Sequence, residues 1–298
     1  MNRSRGLRVL VGLAALVALL VAAFSSMNPW IPTWGSTEEE RARAMPGDQV
    51  ASPPLMISWT HGITIRAVPE AVWPWIVQMG DVRGGFYSYT FIENLVAPQE
   101  YRNADRIIPE LQNPSPGTGM IGEFLRMREI QANRHLLATL ELPEARASWL
   151  WALSPLEGDK TRLVVRFRAH FDFRAPRPLL AAAGFIFNYG GFVMERKMMT
   201  GIKSRSEGRI EPGWYQGVEI ALWLLAFALA VAAAVAYLGR WVWWRALLVG
   251  LASAVFLLYL TFGQPPVWVR IPLLLLQAVA VGWAFRSPPM PRRRKARR

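Results

Sequence analysis

The sequence predicts an α+β domain, an antiparallel sheet closed by one long C-terminal helix, joined to an α-helical membrane region. Three observations carry this reading. Uncharged stretches of 15 to 19 residues crowd the two ends of the 298-residue chain. Between residues 122 and 172 the hydrophobic pattern has period two, the mark of strands. From 177 to 208 apolar residues recur at three- and four-residue steps, the mark of an amphipathic helix.

Composition supports the division. Apolar types make up 52% of the chain and charged types 18%, below the roughly 25% of an ordinary soluble domain. The net charge of +13 is unevenly spread. Residues 25–213 hold 21 Lys/Arg and 20 Asp/Glu, whereas the flanks hold 13 basic residues and a single acid, Glu219. A nearly neutral globular part excludes a basic nucleic-acid-binding domain. The absence of cysteine excludes disulfides, a thiolate nucleophile, Cys-ligated zinc and iron–sulfur clusters.

Val9–Phe24 is uncharged and follows Arg3, Arg5 and Arg8. It reads as a retained anchor or as a signal peptide, Ala23-Phe24-Ser25 being an acceptable cleavage site. Ile220–Leu238 and Ala246–Phe262 are long enough to span. Ile271–Phe285 rises only about 22 Å and needs to extend back to about Pro266, with Arg270 snorkelling outward. Arg240 and Arg245 lie between the second and third spans, and a run from Arg292 to Arg298 follows the fourth. Four spans and a cytoplasmic N-terminus bring these groups to the cytoplasmic side, with residues 25–213 outside. The organisation expected is a 1–28 anchor or uncleaved signal, a 29–54 linker, a 55–210 ligand-binding domain, three transmembrane helices over 214–286 and a basic cytoplasmic tail over 287–298. The location expected is a bacterial plasma membrane.

Within the domain, Ser58–Arg66 reads as a strand with Trp59, His61, Ile63 and Ile65 on one face. Val68-Pro69-Glu70 opens a helix carrying Val72, Ile76 and Met79, which Pro74 kinks. Gly80, Gly84 and Gly85 mark a loop. Helical fragments are expected over 89–96 and 104–112, and strands over 122–131, 134–142, 147–155 and 161–172. The long helix over 177–208 has an apolar stripe of Leu180, Gly184, Phe187, Gly191, Met194, Met198 and Ile202, which Gly190-Gly191 breaks or bends. Glu195, Arg196, Lys197 and Lys203 are assigned to its charged face.

Several of these segments resemble the START-like (SRPBCC) proteins of the polyketide cyclase and lipid-transport group. They are Trp34–Glu39, Met45–Asp48, Ala67–Gly80, Gly85–Tyr89, Ala104–Leu111 and Val193–Met199, so the likeness spans about residues 34–210. It implies a helix-grip fold, a curved antiparallel sheet around a long C-terminal helix with an apolar cavity between them. It implies no single activity. Thr90 stands where many relatives carry Asp, so chemistry using that carboxylate is not available here.

Gly117-Thr118-Gly119-Met120-Ile121-Gly122 matches a dinucleotide fingerprint by letters only. Prolines precede it and a strand follows, whereas the mechanism needs a helix opening on the phosphates. His61, His135 and His170 lack metal-ligand spacing, so no metal and no cofactor are expected. The strand periodicity points His61 inward, turns His170 outward and leaves His135 without a clear partner. Glu93, Asp105, Glu110 and Glu123 are the carboxylates available for acid–base chemistry, with capping and surface pairing as their ordinary roles. Strand parity and helix spacing bring His61, Trp73, Tyr87, Tyr89, Trp149, Trp151, Phe167, Met194 and Met198 to a common interior, a candidate cavity for a lipid or another apolar small molecule. Three functions compete. One is a membrane-anchored lipid-binding domain, one a cyclase- or dehydratase-type enzyme using a carboxylate, His or Tyr, and one a sensor or scaffold acting through the spans.

Overall fold

A computed structural model describes residues 3–51, 53–96, 102–172, 176–286 and 288. The basic tail from Arg292 to Arg298 lies outside the described residues. The chain forms two compact units, residues 27–211 and, separately, residues up to 26 with those from 212 onward.

The first unit is built on one six-stranded antiparallel sheet: β1 (Ile57–Ile65), β2 (Gly119–Ile121), β3 (Leu125–Gln131), β4 (His135–Leu142), β5 (Ala145–Leu156) and β6 (Lys160–Phe171), in the order β1-β6-β5-β4-β3-β2. The expected 122–131 segment is two strands, with a register shift in β3 between Met127 and Glu129. Register sets cross-strand rows. Trp59 pairs with Phe167, which pairs with Trp149, which faces Ala138. The next inward row runs from His61 through Val165 and Trp151 to Leu136. Period-two alternation thus gives one face to aromatic and aliphatic side chains.

That face is covered by α3 (Pro69–Val77) and α6 (Gly191–Ser206). Val72, Trp73 and Ile76 from α3 join Met198, Met199 and Ile202 from α6 in one buried cluster with Trp149, Trp151 and Leu163. The expected 177–208 helix is interrupted. α5 (Arg177–Phe185) leads into a π-helical turn, Ile186–Gly190, and then α6. No residue of α5 or of the π turn is buried, and Phe187, expected on the inner stripe, is half exposed. Only the α6 half grips the sheet, because burial of the stripe begins at Phe192. The fragment expected over 104–112 is a single 3₁₀ turn, Pro109–Leu111, while α4 (Thr90–Val96) forms close to expectation.

Residues 29–54, read as a linker, pack against the sheet. Ile31–Thr33 is a 3₁₀ turn, and α2 (Glu38–Ala42) starts with a capping box in which Thr37 and Glu40 exchange side-chain-to-backbone bonds. The outer sheet face receives this segment through Met45, packed with Leu137, Leu150 and Val164. Buried Arg166 fastens it, donating to Asp48 Oδ2 at 2.8 Å and to the Glu40 carbonyl at 2.6 Å.

The second unit contains α1 (Arg3–Met27), α7 (Trp214–Gly239), α8 (Trp243–Leu258) with a π turn over Tyr259–Gly263, and α9 (Val267–Phe285). All four are long and apolar enough to cross a membrane. The fourth reaches back to Val267 with Pro266 as its N-cap. Its 19 residues rise about 28 Å, close to a hydrocarbon core. Arg8 donates to the Arg240 carbonyl, and the Trp241 amide donates to the Pro288 carbonyl. These contacts bring the start of α1, the α7–α8 turn and the end of α9 to one end of the unit. Phe24 against Phe262 and Tyr215 against Val267 mark the opposite end. Arg270 does not snorkel. It is buried and its Nη2 lies 2.8 Å from Glu219 Oε1, because the one acid of the flanks supplies a counter-charge inside the bundle.

Gly201 of α6 crosses Tyr87 at backbone distance. A Cβ there would lie 2.5 Å from the Tyr87 carbonyl oxygen and 2.8 Å from its Cβ. Tyr87 cannot yield easily. It holds a left-handed φ of 60°, its N–H donates to Asn103 Oδ1 at 2.6 Å and its hydroxyl donates to the Trp75 carbonyl. A helical Gly→Ala change ordinarily gains about 1 kcal/mol. Gly201→Ala should reverse that sign and cost about 1–3 kcal/mol. A lowered midpoint of thermal unfolding, followed by tryptophan fluorescence on the full chain, is the expected result.

Candidate functional site

The site starts from one buried polar group on an otherwise apolar face. Alternation along β1 turns His61 inward between Trp59 and Ile63. Its ring stacks on Trp59, with centroids 5.7 Å apart, and meets Trp34 and Phe192 edge-on. His61 Nδ1 lies 2.5 Å from Glu195 Oε1, and Nε2 lies 2.7 Å from the Ile31 carbonyl oxygen. The other carboxylate oxygen of Glu195 accepts the Trp149 indole N–H at 3.0 Å. His61 and Glu195 are both essentially inaccessible to solvent.

Proton placement follows from donor and acceptor chemistry. A carbonyl oxygen only accepts, so His61 Nε2 carries a hydrogen. One further proton must then lie between Nδ1 and Oε1, since two lone pairs at 2.5 Å would repel. The pair is an imidazolium with a carboxylate or a neutral imidazole with a carboxylic acid, and its total charge is zero in both forms. Zero net charge makes such burial affordable where a lone ion would not be.

The structure corrects the assignment of Glu195 to the charged face of the helix. Glu195 is 2% exposed. Positions 191, 195, 198 and 202 advance by four, three and four, so Glu195 lies on the apolar stripe, and Met194 beside it is only half buried. An acid at a stripe position facing an inward His was the legible signal.

Two more donors lie on the same face. Trp59 Nε1 and Trp151 Nε1 are buried and make no hydrogen bond among the described residues. Trp151 is wholly inaccessible and its ring sits 5.1 Å from Trp149. Native interiors satisfy most buried polar atoms, so two orphan indole donors on the sheet face that carries His61 form an excess of hydrogen-bond donors there.

Of the residues expected at the cavity, Trp73, Tyr87, Trp149, Trp151 and Met198 belong to one buried cluster, with Phe167 packed on it. Met194 and Tyr89 sit at its margin. The Met194 carbonyl accepts from the Ser88 hydroxyl, and Lys197 Nζ lies 5.5 Å from the Tyr89 ring centre. The carboxylates expected for acid–base work do not converge. Asp105, Glu110 and Glu123 are exposed, and Glu123 pairs with Arg126. Glu93 on α4 is buried, with Oε2 unpartnered among the described residues, and burial pushes its carboxyl up to about 7. His135 lies 3.0 Å from Glu129 Oε1, and His170 Nδ1 lies 2.6 Å from the Pro54 carbonyl. The Gly117–Gly122 run leads into β3 rather than a helix, and its Gly122 amide donates to Asp81 at 2.6 Å.

No protein-family model matches the chain, and no curated protein does. Among solved structures, it is similar to a START superfamily protein from Mycobacterium smegmatis at 15% identity, covering 51% of this chain and 97% of that one, with a TM-score of 0.28. It is also similar to protein MLL2253 from Mesorhizobium loti at 14% identity, over 50% and 96% of the two chains, with a TM-score of 0.28. A hypothetical protein, jhp0584, from Helicobacter pylori matches at 9% identity over 55% and 96%, with a TM-score of 0.32.

Glu195→Gln should be tolerated to within about 1 kcal/mol. Its amide can donate to Nδ1, and its carbonyl oxygen can accept from Trp149. Glu195→Ala leaves His61 Nδ1 and Trp149 Nε1 unpaired and should cost about 3–5 kcal/mol. Chemical unfolding of the full chain compares the two. Equal losses would show that a charged imidazolium, which Gln cannot match, is required.

Glu93 sets a pH dependence. Its folded carboxyl titrates at about 7 against an ordinary 4.5. The folded state holds this proton more tightly, so its stabilising contribution is full below about 4.5 and is lost as pH rises through about 7. The span corresponds to on the order of 3 kcal/mol. Glu93→Gln should flatten the fall in melting temperature across this window. An unchanged slope in the variant would assign the effect elsewhere.

Proposed function

We propose that residues 55–210 form a START-like, helix-grip domain that takes up a lipid or another apolar small molecule bearing one acceptor group, held at a bilayer by its flanking helices. The observation that carries this reading is the pair of orphan indole donors, Trp59 Nε1 and Trp151 Nε1, inside an aromatic and Met-rich cluster. An amphiphile satisfies both features at once. Its acceptor meets the Trp151 indole N–H, and its chain lies against Trp73, Phe167 and Met198. Each buried methylene contributes about 0.8 kcal/mol, so enclosure alone suffices for affinity.

His61 is a fixed element in this scheme. Both of its ring nitrogens are engaged, by Glu195 and by the Ile31 carbonyl, so it orients the polar end of the site. The flanking helices supply the second part of the reading. Arg8 and Arg240 lie at one end of the helical unit, and the positive-inside rule assigns that end to the cytoplasm. The domain, joined in sequence to the end of α1 and the start of α7, is then outside the cytoplasm.

Titration with cis-parinaric acid tests the proposal, using the full chain in nanodiscs against nanodiscs lacking protein. Saturable fluorescence enhancement is expected with the wild type. Trp151→Phe keeps a ring and deletes the N–H, and should weaken binding about tenfold, the worth of one buried hydrogen bond to a charged acceptor. Absence of saturable binding by the wild type would overturn the reading.

A further inference from the structure

The helical unit contains its own polar anomaly, independent of the domain and its ligand. Ser253 is the middle residue of the span Trp243–Gly263, and Gln277 lies one residue past the middle of the span Val267–Phe285. Both are buried. Gln277 Nε2 donates to the Ala226 carbonyl of α7 at 3.0 Å. That bond fixes the amide orientation and leaves Oε1 as a pure acceptor, which has no partner among the described residues. Ser253 Oγ has none either, not even the backbone carbonyl one turn back that a helical serine usually finds. Both residues belong to the lining of one recess between α8 and α9, about 380 Å³ in volume, whose other walls include Val249, Phe256, Leu273 and Ala280.

Polar groups at mid-bilayer depth are costly unless satisfied, because hydrocarbon offers no hydrogen bonds. Polar residues that persist there mark sites. The chemistry of the two atoms selects the ligand. Gln277 Oε1 needs a donor, and Ser253 Oγ–H needs an acceptor. A single hydroxyl supplies both, donating to Gln277 and accepting from Ser253. A carboxylate offers no donor to Gln277 and brings a charge to the bilayer centre. The remaining walls are apolar, and the volume lies at the small end of ligand sites.

We infer that the α8–α9 recess binds a neutral monohydroxylated lipid, an apolar chain with one alcohol group, through Ser253 and Gln277.

The test uses the full chain in nanodiscs and a hexadecanol analogue carrying a mid-chain diazirine, alongside its methyl ether. The ether keeps the acceptor and loses the donor. Photolabelling by the alcohol should be saturable, should map by mass spectrometry to peptides of α8 and α9, and should be competed by plain hexadecanol. Labelling by the ether should be about tenfold weaker, the loss of one buried hydrogen bond. Ser253→Ala, nearly isosteric and remote from the Gln277–Ala226 bond, should weaken alcohol labelling several-fold. Trp151→Phe should leave it unchanged, which separates this site from the one in the domain. Equal labelling by alcohol and ether with the wild type would overturn the inference without any variant. So would label spread evenly over all four spans, or a disulfide-linked dimer formed readily by Ser253→Cys, which would assign the recess to contact with a second copy.

Discussion

One shared proton organises the globular unit. His61 on β1 and Glu195 on α6 stand 134 residues apart in sequence and meet at 2.5 Å with a single hydrogen between them. Through Nε2 the same ring holds Ile31, and through Oε2 the same carboxylate holds Trp149 of β5. Four segments are therefore fixed by one electrically neutral pair. The apolar cluster around it supplies most of the burial energy, but apolar contact is non-directional. A directional link sets the turn of α6 that faces the sheet, and with it the positions of Met198 and Ile202.

The same logic governs the helical unit. Glu219 is the only acid of the flanks, Arg270 is a base within α9, and they meet inside the bundle. Arg270 further donates from Nε to the Pro265 carbonyl. In both units a charge complement is buried as a closed set, where an isolated ion would carry a desolvation cost of several kcal/mol. Among the buried polar atoms without a partner among the described residues are the indole N–H groups of Trp59 and Trp151 in one unit and Ser253 Oγ and Gln277 Oε1 in the other.

Much of this was legible in the sequence. Period-two alternation located β4, β5 and β6 to within a few residues, and uncharged runs located the spans, because both signals come from burial repeated over many residues. The inward parity of His61, Trp149 and Phe167 followed from the same rule. What escaped depended on single residues in three dimensions. Glu195 reads as surface because charge outweighs spacing in a sequence scan, yet its partner lies on another element. Residues 29–54 read as a linker because Pro and Gly punctuate them. Thr37 and Glu40 carry a capping box three residues apart, and nothing local reveals that Arg166 clamps the segment from the far side of the chain. The π turn at Ile186–Gly190 is likewise invisible, since its apolar spacing continues that of an unbroken helix.

The pairing of β1 with β6 governs how the protein is made. Ile57 finds its partner at Ala169, so the first strand emerges from the ribosome and waits while four others are synthesised. At 5–20 residues per second the delay is on the order of ten seconds, long compared with the microseconds in which a hairpin forms. Such high contact order slows closure of the sheet. Glu195 follows later still, and Trp214 opens α7 only a short stretch afterwards. Completion of the globular unit thus coincides with synthesis of α7, a helix long and apolar enough to cross a membrane, and the nascent chain carries an unclosed aromatic sheet face through the whole interval between α1 and α7.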